Sequence, residues 1–186
     1  RRWAKEKNLN ELEGHVKATE YEHLINLFYE LKKLRVKYLS LWGFSTENWK
    51  RSKLEVSSLF LLLKKIVDIF INDLEKNKIR FKLIGRKDRL PKYLVSSLEE
   101  LENQSKNFNN FFVNLCLDYG GRDEIIRGIN NLIKNGEKEI SEEDFNNFLD
   151  TKEIPDIDLI IRTSGEMRLS GFMPWQSVYS ELYFTK

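Results

Sequence analysis

The chain has 186 residues, 41% of them apolar and 32% charged, with a formal net charge of +2. This length suits one domain with its own core, and the balance fits a folded cytosolic protein rather than a disordered or fibrous chain. A nearly neutral chain gives no global attraction for nucleic acid or an anionic membrane, and no apolar run reaches the roughly 20 residues a membrane-spanning helix needs, so any anion site must be local.

Between residues 16 and 34, Tyr21, Leu24, Ile25, Phe28 and Leu31 fall at the i, i+3, i+4 spacing of an amphipathic helix. His23 lies on that helix and reads as structural. The aromatic, apolar run 38–44 reads as a strand, closed by a polar loop over residues 45–53. A long helix is expected at about 54–77, then an alternating strand at 80–84 that stops at Gly85. Pro91 opens another helix carrying Leu94, Leu98 and Leu101. Residues 111–117 form a continuous apolar strand; its Cys116, the one cysteine of the chain, has no intrachain partner and reads as core. Helices are expected at 123–134 and 141–149, the latter with Ser141 as N-cap. Strands at 157–161 and 181–184 enclose an irregular segment.

Strands alternating with helices predict an α/β domain, with a mostly parallel central sheet covered by helices on both faces. Ligands in such folds bind beyond the C-terminal strand ends. Residues 59–63 of the long helix are all apolar, more than a single buried stripe requires. Either this helix packs between the sheet and its neighbours or in a dimer interface, or its second face lines a slot for a long hydrocarbon.

Three strand-end segments concentrate polar residues: 45–51, 119–122 and 162–171. In the third, Arg162 and Arg168 share a loop with Thr163, Ser164 and Ser170, a composition suited to bidentate recognition of phosphate oxygens. Gly165 and Gly171 would let backbone N–H groups approach the same anion. Loop arginines are also often solvated or paired with a neighbour such as Glu166, and spacing does not separate these readings.

The order of motifs resembles the cis-prenyltransferases, most closely the bacterial undecaprenyl diphosphate synthases. The resemblance rests on Arg2-Trp3-Ala4-Lys5, Gly14-His15, Phe44-Ser45-Thr46-Glu47-Asn48-Trp49, Asp118-Tyr119-Gly120-Gly121-Arg122, residues 158–166 and residues 172–185. Spanning almost the entire chain, it implies a Mg²⁺-dependent transferase that condenses isopentenyl diphosphate with an allylic diphosphate such as farnesyl diphosphate. The implied product is a cis-polyprenyl diphosphate, such as the undecaprenyl precursor of a cell-wall carrier lipid. A cytoplasmic homodimer with peripheral membrane contact for product release is implied as well.

Carried over position by position, the resemblance makes Arg2, Trp3 and His15 residues that hold the allylic substrate, His15 near its diphosphate. Ser45, Thr46, Glu47, Asn48, Trp49 and Arg51 match a mobile substrate loop, in which Asn48 is the catalytic candidate that helps position the groups losing the proton. Closure of such a loop excludes water from a cation that water would quench. On its own surroundings Trp49 reads as a lid or as a buried anchor. Arg162, Arg168, Leu169 and Ser170 match the isopentenyl diphosphate site, and Glu181 matches a Mg²⁺ ligand, in keeping with the hard oxygen ligation that ion requires. The turn at 119–122 reads as mainly architectural.

Two departures bear on these expectations. The family carries an Asp-Gly-Asn run immediately before the position of Arg1, whose Asp binds Mg²⁺ and the allylic diphosphate, and a basic closing segment beyond the position of Lys186. The chain is therefore expected to be a single catalytic domain incomplete at both ends. Glu11 stands where the family commonly has Arg; either this loop is differently arranged or another cation, such as Lys5 or Lys7, compensates. A rival reading is a non-catalytic partner subunit of a heteromeric prenyltransferase; Asn48, Arg162, Arg168 and Glu181 argue against it. A nucleic-acid-binding module is disfavoured because the basic and aromatic residues are scattered rather than gathered in a stripe.

Overall fold

The computed structural model describes residues 7–18 and 20–186. In chain order the elements are α1 (Glu11–Ala18), α2 (Tyr21–Lys33), β1 (Tyr38–Trp42), a 3₁₀ turn (Thr46–Lys50), α3 (Lys53–Asn77), β2 (Ile79–Ile84), α4 (Lys92–Ser105), β3 (Phe111–Cys116), α5 (Gly121–Lys134), a one-turn α6 (Glu142–Phe145), a second 3₁₀ turn (Asn146–Phe148), β4 (Leu159–Arg162) and β5 (Glu181–Phe184).

β1, β3 and β2 form a parallel sheet in that order, with Trp42 and Ile84 both opposite Cys116. β3 is buried on both of its faces, which is why its run is largely apolar and not alternating. The three strands end level, so the loops that follow them leave from one edge. The expected α/β class and parallel pairing are both present. Among the described residues, however, the strands fall into two sheets, because β4 and β5 form a ladder of their own, Leu159 opposite Glu181 and Arg162 opposite Phe184. Hydrophobic periodicity identifies strands but does not say which of them are neighbours.

Of the element boundaries that depart from the sequence reading, three have a clear backbone reason. The helix expected through residues 16–34 is divided, since Glu20 (φ −53°, ψ 129°) takes an extended conformation ahead of α2. The strand expected to reach residue 44 stops at Trp42, because the amides of Gly43 and Phe44 both turn onto the Cys116 carbonyl at 3.0 and 3.2 Å. The helix expected at 141–149 is a single turn, capped by Ser141 Oγ accepting from the Asp144 amide at 3.1 Å, and it tightens into a 3₁₀ turn.

α3 begins at Ser52, whose Oγ accepts from the Glu55 amide at 3.2 Å, and ends where Lys78 enters the left-handed region at φ 51°. It buries Val56, Leu59, Phe60, Val67, Phe70 and Leu74 in the core, while Leu61 is 63% exposed. Each fully buried side chain of that size contributes about 1.5–3 kcal/mol. Phe70 meets Phe28 of α2 edge-on with ring centroids 5.3 Å apart, which fastens α2 over the same core.

Candidate active site

Beyond β3 the chain turns at Asp118, which holds φ 47°, a left-handed conformation Asp tolerates better than most residues. The Tyr119 amide donates to the Phe44 carbonyl and the Thr46 amide to the Tyr119 carbonyl, each at 3.1 Å. Two adjacent glycines then permit contacts no side chain would allow. A Cβ on Gly120 would stand 2.4 Å from Thr46 Oγ1, and one on Gly121 2.0 Å from Pro174 Cδ. The Gly121 amide donates to the Gly171 carbonyl at 2.9 Å. The segment after β1 and the loop after β4 therefore close on one dipeptide, and Trp42 stacks on Phe172 with centroids 5.0 Å apart.

In the segment after β1, the Ser45 amide donates to Asn48 Oδ1 at 3.1 Å and the Asn48 amide to the Ser45 carbonyl at 3.0 Å. With its carbonyl oxygen committed to the turn, Asn48 has its Nδ2 donors for a ligand. Glu47 pairs with Lys50 on the exposed side, and Arg51 pairs with Glu55 at 3.0 Å. Trp49 is half-buried against Phe44 and Phe60, and its Nε1 donates to Asp118 Oδ1 at 2.8 Å. Of the two readings of Trp49, this conformation has the anchored one.

The loop after β4 holds five residues at left-handed φ: Ser164, Gly165, Ser170, Gly171 and Met173. The Arg162 guanidinium donates to Ser170 Oγ at 2.8 Å and to the Arg168 carbonyl. Arg168 pairs with Glu166, and its side chain is 56% exposed. The pairing of a loop arginine with Glu166 is thus the reading this conformation has. An ion pair that open contributes at most about 1 kcal/mol and yields readily to a more highly charged partner. Met173 seats the loop, buried with Ile84, Cys116 and Tyr119.

Glu181 begins β5, its amide donating to the Asp158 carbonyl at 2.8 Å, whereas Arg162 ends β4. The two are separated by three residues of ladder, roughly 10 Å at the usual strand rise. Among the described residues, no three His, Cys, Asp or Glu side chains cluster as a ready-made metal cage. Mg²⁺ is ordinarily held by one or two carboxylates with phosphate and water completing the shell, and Glu181 fits that sparse pattern. Arg2, Trp3 and Lys5 lie outside the described residues, as do the side chains of His15 and Glu11, both on α1.

An apolar cavity of about 230 Å³ opens beside this edge, lined chiefly by Phe28, Trp42, Leu63, Ile66, Val67 and Phe70. Of the apolar run 59–63 only Leu63 lines this cavity; Val67 and Phe70 line it while belonging to the core, so the space lies within the core cluster and not on a separate face of α3. A larger and more open hollow of about 840 Å³ lies around Lys82, Lys134, Asp150 and Glu153; there Lys82 and Glu153 pair with each other at 3.1 Å.

Sequence reasoning missed the buried network that supports the Gly120–Gly121 turn. Glu124, 1% exposed, accepts from Tyr119 Oη at 2.7 Å, Gln176 Nε2 at 3.0 Å and the Asp150 amide at 3.1 Å. Arg127 joins Asp123 to Asp150 at 2.8 and 2.6 Å. Burial pushes the Glu124 carboxyl above its ordinary value, against the opposing pull of hydrogen bonds from Tyr119 and Gln176. Burial likewise holds the Cys116 thiol up and unreactive, in keeping with its place in the core. The available signal was the spacing of Gly121, Glu124 and Gly128, which mark the buried face of α5.

An arginine and hydroxyl loop and an amide-bearing turn lie together at parallel strand ends, with an apolar cavity lined by Trp42 and α3, an arrangement whose chemistry suits an anionic head with a hydrocarbon tail. Comparison with known proteins supplies the family. The family model for undecaprenyl diphosphate synthase matches residues 1–186. The isoprenyl transferase of Aquifex pyrophilus is 45% identical over 186 residues, covering 100% of this chain and 79% of that protein. That of Thermotoga maritima is 42% identical over 189 residues, covering 100% and 80%. Among solved structures, a "probable undecaprenyl diphosphate synthase" from Campylobacter jejuni superposes with a TM-score of 0.83 at 36% identity, over 89% of this chain and 78% of that one. Lavandulyl diphosphate synthase from Lavandula x intermedia, in complex with dimethylallyl diphosphate, gives 0.88 at 32% identity, over 98% and 81%. The chain belongs to the undecaprenyl diphosphate synthase family of isoprenyl transferases, and its chemistry is cis-prenyl transfer.

Proposed function

We propose that this enzyme condenses isopentenyl diphosphate with an allylic diphosphate, farnesyl diphosphate being the expected primer, to build a cis-polyprenyl diphosphate of the undecaprenyl type. The observation that carries this reading is the joint closure of the Asn48 turn and the Arg162–Arg168 loop on Gly120–Gly121, beside the cavity lined by Trp42 and α3. In each cycle the allylic C–O bond breaks and diphosphate departs. The isopentenyl double bond forms the new C–C bond, and loss of a proton from the isopentenyl unit restores an alkene.

Arg162, Arg168 and Ser170 hold the isopentenyl diphosphate, Arg168 exchanging its Glu166 partner for phosphate oxygens. Asn48 orients the reacting groups through Nδ2, and the ring of Trp49 keeps water from the cationic carbon. The cavity takes the growing chain. Glu181, together with diphosphate oxygens, would hold Mg²⁺. When bound, that ion supplies positive charge to the phosphate oxygens, the electrostatic help a departing diphosphate needs.

The homodimer and the peripheral membrane contact belong to the same proposal. No helix among the described residues is long and apolar enough to cross a membrane. Ile126, Ile129 and Ile133 form an exposed apolar stripe on α5 that suits a second copy; sedimentation of the purified protein reads this directly.

The test of the function is a mass-spectrometric transfer assay with isopentenyl diphosphate, farnesyl diphosphate and Mg²⁺. Polyprenyl diphosphates growing in five-carbon steps are expected. Failure to elongate any allylic primer would defeat the proposal.

A further inference from the structure

Asp118 has no part in the transfer chemistry proposed for the enzyme, yet its carboxylate is completely buried and both of its oxygens are engaged. Oδ1 accepts from Trp49 Nε1 at 2.8 Å and from Arg89 Nη2 at 2.5 Å, and Oδ2 accepts from Arg89 Nε at 2.7 Å. The Arg89 guanidinium carbon lies 5.7 Å from the centroid of the Trp49 ring. Asp118, Arg89 and Trp49 come from three different strand-end segments, after β3, β2 and β1 respectively.

A buried carboxylate is costly unless it is paired and hydrogen-bonded, so Arg89 is what makes the charge on Asp118 tolerable there. That charge in turn makes the bond to the indole stronger and more directional than a neutral one. Packing on Phe44 and Phe60 alone would let the indole slide; the bond to Asp118 fixes its orientation. Trp49 follows Asn48 directly in the 3₁₀ turn, so fixing one residue fixes the other.

We propose that Asp118 and Arg89 are positioning residues for prenyl transfer: their ion pair latches the Trp49 indole and thereby sets the pose of Asn48. The inference rests on the role given to Asn48 above, and it couples the loop after β2 to the reacting centre although neither Asp118 nor Arg89 needs to touch substrate.

Two variants test it, each first shown to be folded by a thermal melt, since Arg89→Gln leaves the buried Asp118 carboxylate without its cation. Trp49→Phe keeps a ring against Phe44 and Phe60 but has no indole N–H, and Arg89→Gln removes the guanidinium from Asp118. Each is expected to lower kcat on the order of ten- to a hundred-fold, as displacement of a catalytic group does, with KM for both diphosphates held within about three-fold. In the double variant kcat should fall no further than in the worse single variant, because both losses pass through one bond. A readout independent of turnover is the indole resonance of Trp49, assigned by its absence from Trp49→Phe. It is expected to be protected from solvent exchange in the wild-type protein and to lose that protection in Arg89→Gln.

Multiplied losses in the double variant, unchanged kcat in folded Trp49→Phe, or an exchange-labile indole in the wild type would each overturn the latch. A wild-type protein that elongates no primer would instead overturn the transfer reading on which the latch rests.

Discussion

The amide of Gly121 donates to the carbonyl of Gly171 at 2.9 Å, and through this bond the loop that carries Arg162, Arg168 and Ser170 is seated on the start of α5. Gly120, its neighbour, lies against Thr46, so the Asn48 turn and the arginine loop share one support. Their common dependence on two glycines makes the active-site geometry open to direct tests.

Gly121→Ala is expected to displace the arginine loop, because the new Cβ would lie 2.0 Å from Pro174 Cδ and 2.9 Å from the Gly171 carbonyl oxygen. Overpacking of this kind costs about 1–3 kcal/mol of stability, and misplacement of a binding group by about 1 Å lowers turnover by roughly a hundred-fold. Thermal melts and steady-state kinetics on the purified variant read both. An active site that tolerates the methyl group with full kcat/KM would show that the loop is not seated in this way.

Arg168→Ala separates binding from folding. Its side chain is more than half exposed and paired only with Glu166 among the contacts described. The stability change should stay within about 0.5 kcal/mol. Loss of a charged hydrogen bond to diphosphate, worth about 1.5–3 kcal/mol, should raise KM for isopentenyl diphosphate by roughly ten- to a hundred-fold. KM for the allylic primer should change much less, and initial-rate measurements with each diphosphate varied in turn check the difference.

Leu63→Trp narrows the apolar cavity from the α3 side, where Leu63 is only partly buried and has room to be replaced. Shorter polyprenyl diphosphates are expected, with the first condensation slowed little. Mass spectra of the product mixture report the chain-length distribution. A distribution identical to that of the wild type would place the growing chain elsewhere.

The buried Glu124 carboxyl gives a pH dependence of definite sign. Burial raises it above its ordinary value of 4.5, so between that value and its folded value the native protein keeps a proton that the unfolded chain has released. The native state then binds more protons than the unfolded state, and stability falls as pH rises through that window, levelling off above it. Below pH 4.5 the contribution is fully present. Glu124→Gln removes this titration, so the melting temperature of the wild type minus that of the variant should fall as pH rises from 4.5. A rise of that signed difference with pH would contradict the assigned direction.

The sequence made the strands and long helices legible because each carries a period of its own, and the arginine loop stood out by composition. Three features were hidden for physical reasons. The face of α5 that is buried holds Gly121, Glu124 and Gly128, whereas Ile126, Ile129 and Ile133, the residues periodicity would bury, are 58%, 39% and 64% exposed. Close packing against Pro174 and Phe145 requires glycines, and a hydrogen-bonded carboxylate substitutes for an apolar side chain. The anchoring of Trp49 depends on Asp118, 69 residues away in the chain, and no local pattern encodes it. The division of the strands into two sheets is likewise a matter of partners, which a run of apolar residues does not specify.

The most direct test of the account is a crystal structure of this protein with isopentenyl diphosphate bound. The account predicts phosphate oxygens at about 3 Å from both Arg162 and Arg168, with Ser170 in the same shell, Arg168 released from Glu166, and the hydrocarbon facing Asn48. A diphosphate held elsewhere, with the Arg168–Glu166 pair intact, would contradict it.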